Sequence, residues 1–173
     1  VQPFTYDDLG RLISQTDHSG KTTLYKPDEA GNVYEKTDRN NAVTRYTYDN
    51  LNRLQYADYV QEGFRETLGY DIAGNVNAAV SPYASYGFTY DNLNRLKAKT
   101  DARGRSLSFT YDDAGNVRTK TTFQGTTTTY QYNAANRLVQ LRNPEYLQVD
   151  YQYDPAGRLL SRVTANGARL TQQ

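Results

Sequence analysis

Acid–base or ion-binding chemistry in this chain would have to come from carboxylates and guanidinium groups. It carries 19 Asp and Glu, 20 Lys and Arg, one histidine and no cysteine in 173 residues. The aspartates and arginines recur four residues apart: Asp7 with Arg11, Asp49 with Arg53, Asp91 with Arg95, and Asp154 with Arg158. Such groups are plentiful. Yet every copy sits in the same surroundings, whereas catalytic groups stand out from their chain. His18, between Asp17 and Ser19, reads as a solvated loop residue with no second histidine to work with. The absence of cysteine rules out disulfides and thiolate metal sites and leaves the redox compartment open. No nucleophile and no glycine-rich phosphate loop departs from the repeat. The expectation is a chain that is not an enzyme, with no catalytic, cofactor-binding or metal-binding residue.

The elements that must position these pairs are β-hairpins. Copies of Tyr6-Asp7-Asp8-Leu9-Gly10-Arg11-Leu12 begin at Tyr6, Pro27, Tyr48, Tyr70, Tyr90, Tyr111, Tyr132 and Tyr153, at intervals of 21, 21, 22, 20, 21, 21 and 21 residues. Such a period signals an array of units that contact their neighbours. Counting each tyrosine as position 0, position −2 is aromatic in all copies but the fourth, which has Leu68, while position −1 is polar or glycine. That alternation specifies a strand with one aromatic face. The strand runs into Asp7, Asp49, Asp71, Asp91, Asp112, Asn133 or Asp154, which can accept hydrogen bonds from turn amides. Three residues later stands Gly10, Gly31, Asn52, Gly74, Asn94, Gly115, Asn136 or Gly157, the residue types that adopt positive φ most cheaply. A type I turn closed by a left-handed residue follows. Its register sets the tyrosine opposite the aliphatic residue at +6 on one face, and the aspartate against +5, arginine or asparagine, on the other. Pro27 must cost its strand a ladder bond unless it lies at an edge or bulge.

Arg-Leu and Asn-Val forms alternate at +5 and +6 until Arg158-Leu159 breaks the series, giving a weaker period of 42 residues. The returning turns, at Asp17 to Gly20, Asp38 to Asn41, Asp101 to Gly104, Gln124-Gly125 and Asn166-Gly167, look less regular. Gln61-Glu62-Gly63, Ser81 to Gly87 and Asn143-Pro144-Glu145 look more irregular still, and irregular loops are where arrays place individual contacts. The chain is polar, with mean hydropathy −0.86 and 17 tyrosines among its 37% hydrophobic residues. It cannot fill a thick dry core, yet its apolar residues are too regularly placed for disorder. A net charge of +1 with interspersed signs gives no basic face for nucleic acid. No run approaches the roughly 18 apolar residues of a membrane helix, so no membrane insertion by this segment is expected. The chain opens within the register of its first repeat and reads as one array, residues 1–173, cut from a longer one.

Eight copies of Tyr-Asp-x-x-Gly-Arg-Leu in register resemble the YD repeat of the Rhs family, also found in Tc-toxin shells, wall-associated bacterial proteins and teneurins. The resemblance covers Phe4 to about Leu170. It implies an all-β fold, a repetitive antiparallel hairpin array that spirals into part of a hollow shell. It also implies secretion or display at the cell surface, with flanking repeats and an enclosed toxin segment as partners. In many such shells the array ends in a self-cleavage motif that Asp154-Pro155-Ala156-Gly157-Arg158-Leu159 resembles in part. Arg158 stands where leucine is expected, and Ser161-Arg162 where small residues should follow, so these residues read as an ordinary eighth repeat. No cleavage site or toxin domain carries over.

Two functions follow from different classes. The first is a non-catalytic wall section of a shell that encapsulates and helps deliver a toxic C-terminal polypeptide. Sixteen strands at about 4.8 Å make a ribbon about 75 Å long, or a ring about 25 Å across, too small to enclose a domain without flanking repeats. The second is carbohydrate or cell-surface binding through tyrosines outside the repeated ladder: Tyr56, Tyr59, Tyr83, Tyr86 and Tyr146. The alternative architecture is a four-bladed propeller with four strands per 42 residues.

Overall fold

The computed structural model describes residues 3–144, 147–164 and 168–171. Among these there are seventeen strands and no helix. They fall in two compact units, Val1–Gly87 and Phe88–Gln173. The first holds β1 (Phe4–Tyr6), β2 (Leu12–Thr16), β3 (Thr22–Pro27), β4 (Val33–Thr37), β5 (Val43–Tyr48), β6 (Leu54–Tyr59), β7 (Phe64–Tyr70) and β8 (Val76–Val80). β9 (Ser85–Tyr90) has residues in both. The second holds β10 (Leu96–Asp101), β11 (Ser106–Tyr111), β12 (Val117–Thr121), β13 (Thr127–Tyr132), β14 (Leu138–Asn143), β15 (Leu147–Tyr153), β16 (Leu159–Thr164) and β17 (Arg169–Thr171). Within each unit, sequential strands pair antiparallel, so this is an all-β hairpin array and not a set of propeller blades. The short β17, paired to β16, is one strand more than eight hairpins require.

Each signature forms the turn its residues specify. Gly10 N–H donates to Asp7 O (2.9 Å) and Asp7 N–H to Arg11 O (3.0 Å), and the same two bonds close the turns at Asp28, Asp49, Asp71, Asp91, Asp112, Asn133 and Asp154. Asn52, Asn94 and Asn136 hold positive φ where other copies have glycine. Tyr48 lies opposite Leu54, and Tyr6, Tyr70, Tyr111, Tyr132 and Tyr153 likewise face the aliphatic residue at +6.

One feature of the register escapes the sequence pattern. Thr47 faces Tyr56 while the next residue, Tyr48, faces Leu54, so Gln55 is an extra residue and the strand bulges there. The same slip precedes position 0 in the hairpins of β1, β3, β7, β11, β13 and β15. Pro27 sits at this slip, opposite Val33, where proline is tolerated.

The return turns are more regular than their sequences suggest. Asp17–Gly20, Asp38–Asn41, Asp101–Gly104 and Thr122–Gly125 share the hydrogen-bond pair of the signature turns. Tyr59–Gly63 and Ser81–Ala84 depart from it. Glu145 and Asn166-Gly167 lie outside the described residues. The return hairpins carry no bulge, but their ladders stop early: β4 and β5 pair only from Glu35 with Arg45 to Thr37 with Val43. Near the signature turns, consecutive hairpins are therefore joined by side chains and not by ladder bonds.

Burial is shallow. Among the residues whose burial is described, Ala57, Val149 and Ser161 are buried. The aromatic face is half-buried and the opposite face more open, as in β5, where Thr44, Tyr46 and Tyr48 are half-buried and Arg45 and Thr47 exposed.

Candidate functional site

The signature turn is built first by its aspartate. Asp7 Oδ1 accepts from the main-chain N–H groups of Leu9 (3.0 Å) and Arg11 (2.9 Å), and Oδ2 accepts from Arg11 Nε (2.6 Å). Asp49 and Asp91 repeat this with Arg53 and Arg95, and Asp154 binds Arg158 Nε at 2.6 Å. In the alternate copies asparagine takes the arginine's place, with Asn75 Nδ2 3.0 Å from Asp71 and Asn116 Nδ2 3.1 Å from Asp112. These donors hold the carboxylates below their ordinary range. The Arg11 main-chain N–H leads at Asp7, the Arg53 side chain at Asp49 and the Asn116 amide at Asp112. Asn133 keeps the first acceptor role, binding the N–H groups of Ala135 and Arg137 at 3.0 Å, but has no second carboxylate oxygen for Arg137.

The tyrosine does more than face its leucine. Tyr48 Oη donates to Val33 O (2.9 Å), Tyr70 Oη to Leu54 O (2.7 Å), Tyr111 Oη to Leu96 O (2.8 Å) and Tyr153 Oη to Leu138 O (2.9 Å). Each acceptor is the residue at +6 of the preceding hairpin, where the inter-hairpin ladder has stopped. A buried carbonyl left out of a ladder needs a donor, and only tyrosine among the aromatics of this chain can bring a hydroxyl there. Burial pushes the Tyr48 hydroxyl pKa up, so it remains a donor. The tyrosine ring receives the preceding arginine as well. Arg53 lies 4.3 Å over Tyr70 and Arg95 4.4 Å over Tyr111.

The tyrosines outside the repeated ladder differ in their surroundings. Tyr56 lies under Arg65 at 4.5 Å and belongs to the sheet. Tyr59 stacks on Phe64 at 4.5 Å, and Phe64 meets Tyr83 edge-on at 5.4 Å. Tyr83 is 80% exposed. Tyr86 lines a neighbouring groove of about 270 Å³ with Glu66, Leu68, Ala79, Val80 and Ser81. Tyr146 lies outside the described residues. Phe64, which joins the cluster, was not among the expected contact residues; its signal was an aromatic beside the irregular Gln61-Glu62-Gly63 turn. No group of three or more His, Cys, Asp or Glu among the described residues could hold a metal ion.

The fold is similar to that of a chain in the Photorhabdus luminescens Tc holotoxin pore carrying a TccC3 mutation, with 16% identity and a TM-score of 0.52, over 99% of this chain and 14% of that one. A TcdB2–TccC3–Cdc42 complex also matches at 14% identity and a TM-score of 0.45, over 94% of this chain and 12% of that one. At these identities the likeness speaks to fold, and the chain spans about a seventh of the longer protein. No curated protein matches it at a significant level. The RHS Repeat family model matches residues 6–35, 28–58, 90–127 and 124–146, which together take in most of the signature hairpins. On that match the chain belongs to the RHS repeat family.

Proposed function

We propose that this chain is a non-catalytic wall section of an RHS-repeat shell that encloses, and helps deliver, a toxic C-terminal polypeptide of a secreted bacterial protein. The observation that carries the reading is the use to which the chemistry-bearing groups are put. The described signature carboxylates bind their own turn, and the arginines, asparagines and tyrosine hydroxyls at positions 0 and +5 tie that turn to its neighbour. Such a device extends a sheet and leaves its two faces only half-covered, which suits a wall. The likeness to a Tc holotoxin chain supports the choice of shell.

The test is limited proteolysis of the polypeptide that contains this array together with the sequence that follows it. A C-terminal segment protected until the array melts is the expected result. A segment cut equally fast in the folded and melted protein overturns enclosure.

A second reading, binding of carbohydrate, rests on the Tyr59–Phe64–Tyr83 cluster beside the groove at Tyr86. The exposed Tyr83 ring of this cluster suits stacking on a sugar ring. A glycan array on which the chain and its Tyr83→Ala variant give the same signal would count against it.

A further inference from the structure

The residue at +5 of one signature turn and the residue at +4 of the next form a matched pair. Arg11 is followed by Gly31, Arg53 by Gly74, Arg95 by Gly115 and Arg137 by Gly157. Asn32 is followed by Asn52, Asn75 by Asn94 and Asn116 by Asn136. No junction mixes the two types. A simple 42-residue duplication does not account for this. In the third, fifth and seventh copies, arginine at +5 goes with asparagine at +4 of the same turn, but the eighth has Gly157 before Arg158. Its +4 residue follows the preceding turn's Arg137, not its own arginine.

The contacts supply a reason. Asn32 Nδ2 bonds its own Asp28 (3.3 Å) and reaches Asn52 Oδ1 of the next turn (3.3 Å). Asn116 Nδ2 does the same with Asp112 (3.1 Å) and Asn136 (3.0 Å). An asparagine at +4 thus points its side chain back toward the preceding turn, where the short Asn at +5 can meet it. Arginine spans the gap alone. Arg11 Nη1 reaches Asp28 O at 2.6 Å and Arg95 Nη1 reaches Asp112 O at 3.2 Å, while Arg53, Arg95 and Arg137 lie over the next tyrosine ring. At Gly157 a Cβ would meet the Arg137 guanidinium, the mobile end of a long side chain, and at Gly74 it would lie 3.9 Å from Arg53 Nη1, whereas at Gly31 and Gly115 nothing stands within 4 Å.

We propose that these two positions are a recognition surface that selects which hairpin stacks on which: an arginine edge accepts a turn with glycine at +4, and an asparagine edge accepts one with asparagine. The partner on either edge is another signature hairpin. By this rule Arg158, held by Asp154 with its side chain 82% exposed, selects a glycine-type turn for any hairpin that stacks on it.

Two double-mutant cycles in the intact chain test the rule, read as thermal unfolding midpoints by circular dichroism. In the first, Gly157→Asn creates a mismatch with Arg137, and Arg137→Asn with Gly157→Asn restores a match. Gly10→Asn, at a positive-φ glycine with open space around it, reports the cost of asparagine in that conformation alone. In the second, Asn116→Arg creates the opposite mismatch, and Asn136→Gly added to it restores a match. The expected result is a midpoint loss for each mismatch on the order of 3 °C beyond that of Gly10→Asn, with at least half recovered in each matched double variant. A mismatched variant that fails to fold, with a matched partner that does fold, counts as recovery. Additive effects in both cycles, double variants that fail to fold, or Gly157→Asn no worse than Gly10→Asn, overturn the rule.

Discussion

The open sheet face is composed differently across β3 to β7 of the first unit and across β11 to β13 of the second, although the signature turns there are built alike. Across β3 to β7 of the first unit, Lys26, Glu35, Arg45, Asp58 and Arg65 are successive cross-strand partners and alternate in sign. Glu35 contacts Lys26 at 2.7 Å and Arg45 at 3.0 Å, and Asp58 contacts Arg65 at 2.7 Å. In the second unit the corresponding partners across β11 to β13 are Thr110, Thr119 and Thr129. Thr110 and Thr119 share a hydroxyl hydrogen bond at 2.6 Å, and Thr121 and Thr127 share one at 2.9 Å. The turns therefore carry what every hairpin needs in order to stack, and the face between them is free to take ion pairs or hydroxyls.

The likeness of the signature turns in the two units can be measured at their tyrosines, where substitution costs most. Tyr70 in the first unit and Tyr111 in the second both cap a carbonyl and lie under an arginine. Replacing either with alanine should cost about 2 to 3 kcal/mol, from lost apolar burial together with the stranded carbonyl. Replacing either with phenylalanine should cost about 1 kcal/mol, from the lost hydrogen bond and the carbonyl left without its donor. Urea unfolding of the four variants measures this, and a Tyr70→Phe cost clearly different from that of Tyr111→Phe would break the claim that the turns do equal work.

What the sequence made legible follows the range of the interactions. Asp7 to Leu12 specify a turn through contacts within six residues, so the turn type, the left-handed position, the Asp–Arg pair and the tyrosine–leucine face could all be read from spacing. The bulge at Gln55 could not, because Gln55 is no different in type from a residue in a regular ladder. The tyrosine clamp depends on that bulge and on an inter-hairpin ladder that ends at Glu35 and Arg45, so Tyr48 Oη meeting Val33 O was hidden as well. The Arg and Asn alternation was visible as a longer period, but its meaning needed the next turn placed beside it. Of the tyrosines outside the repeated ladder, Tyr59 and Tyr83 gather on Phe64, and Tyr56 lies under Arg65.

A smaller effect sharpens the difference between the faces. Glu35 and Thr119 occupy the same position, +8, in their repeats. Glu35→Lys removes two ion pairs and sets a third cation between Lys26 and Arg45, so the thermal midpoint should fall by several degrees. Thr119→Lys places one cation among hydroxyls, loses the bond to Thr110, and should shift the midpoint much less. Equal shifts would mean that the ion pairs across β3 to β5 contribute nothing beyond ordinary surface polarity, as exposed pairs often do.

The smallest effect expected is one of pH, and its sign is fixed by the carboxylates. Lys26 and then Arg45 hold Glu35 below its ordinary range, and the Arg65 side chain does so for Asp58. A group whose pKa is lower in the folded state contributes stability in full above its unfolded value, near 4, and loses it as the pH falls through the folded value. The turn aspartates Asp49 in the first unit and Asp91 and Asp112 in the second are lowered too, so acid weakens the turns of both units in common. Asp17, pushed to about 2 chiefly by the Ser19 hydroxyl, stays charged in the folded chain near pH 3 while the unfolded carboxyl takes up a proton, so it too weakens the turn between β2 and β3 in acid. What remains between β4 to β6 and β12 to β13 is the face ladder, since the lowered face carboxylate of the second unit, Asp150, held chiefly by the Gln140 side chain, lies on β15. Amide protection factors, corrected for intrinsic exchange, should therefore fall further in β4 to β6 than in β12 and β13 between pH 7 and about 3. Equal losses would assign all the acid sensitivity to the turns and leave the charged ladder without a stabilising role.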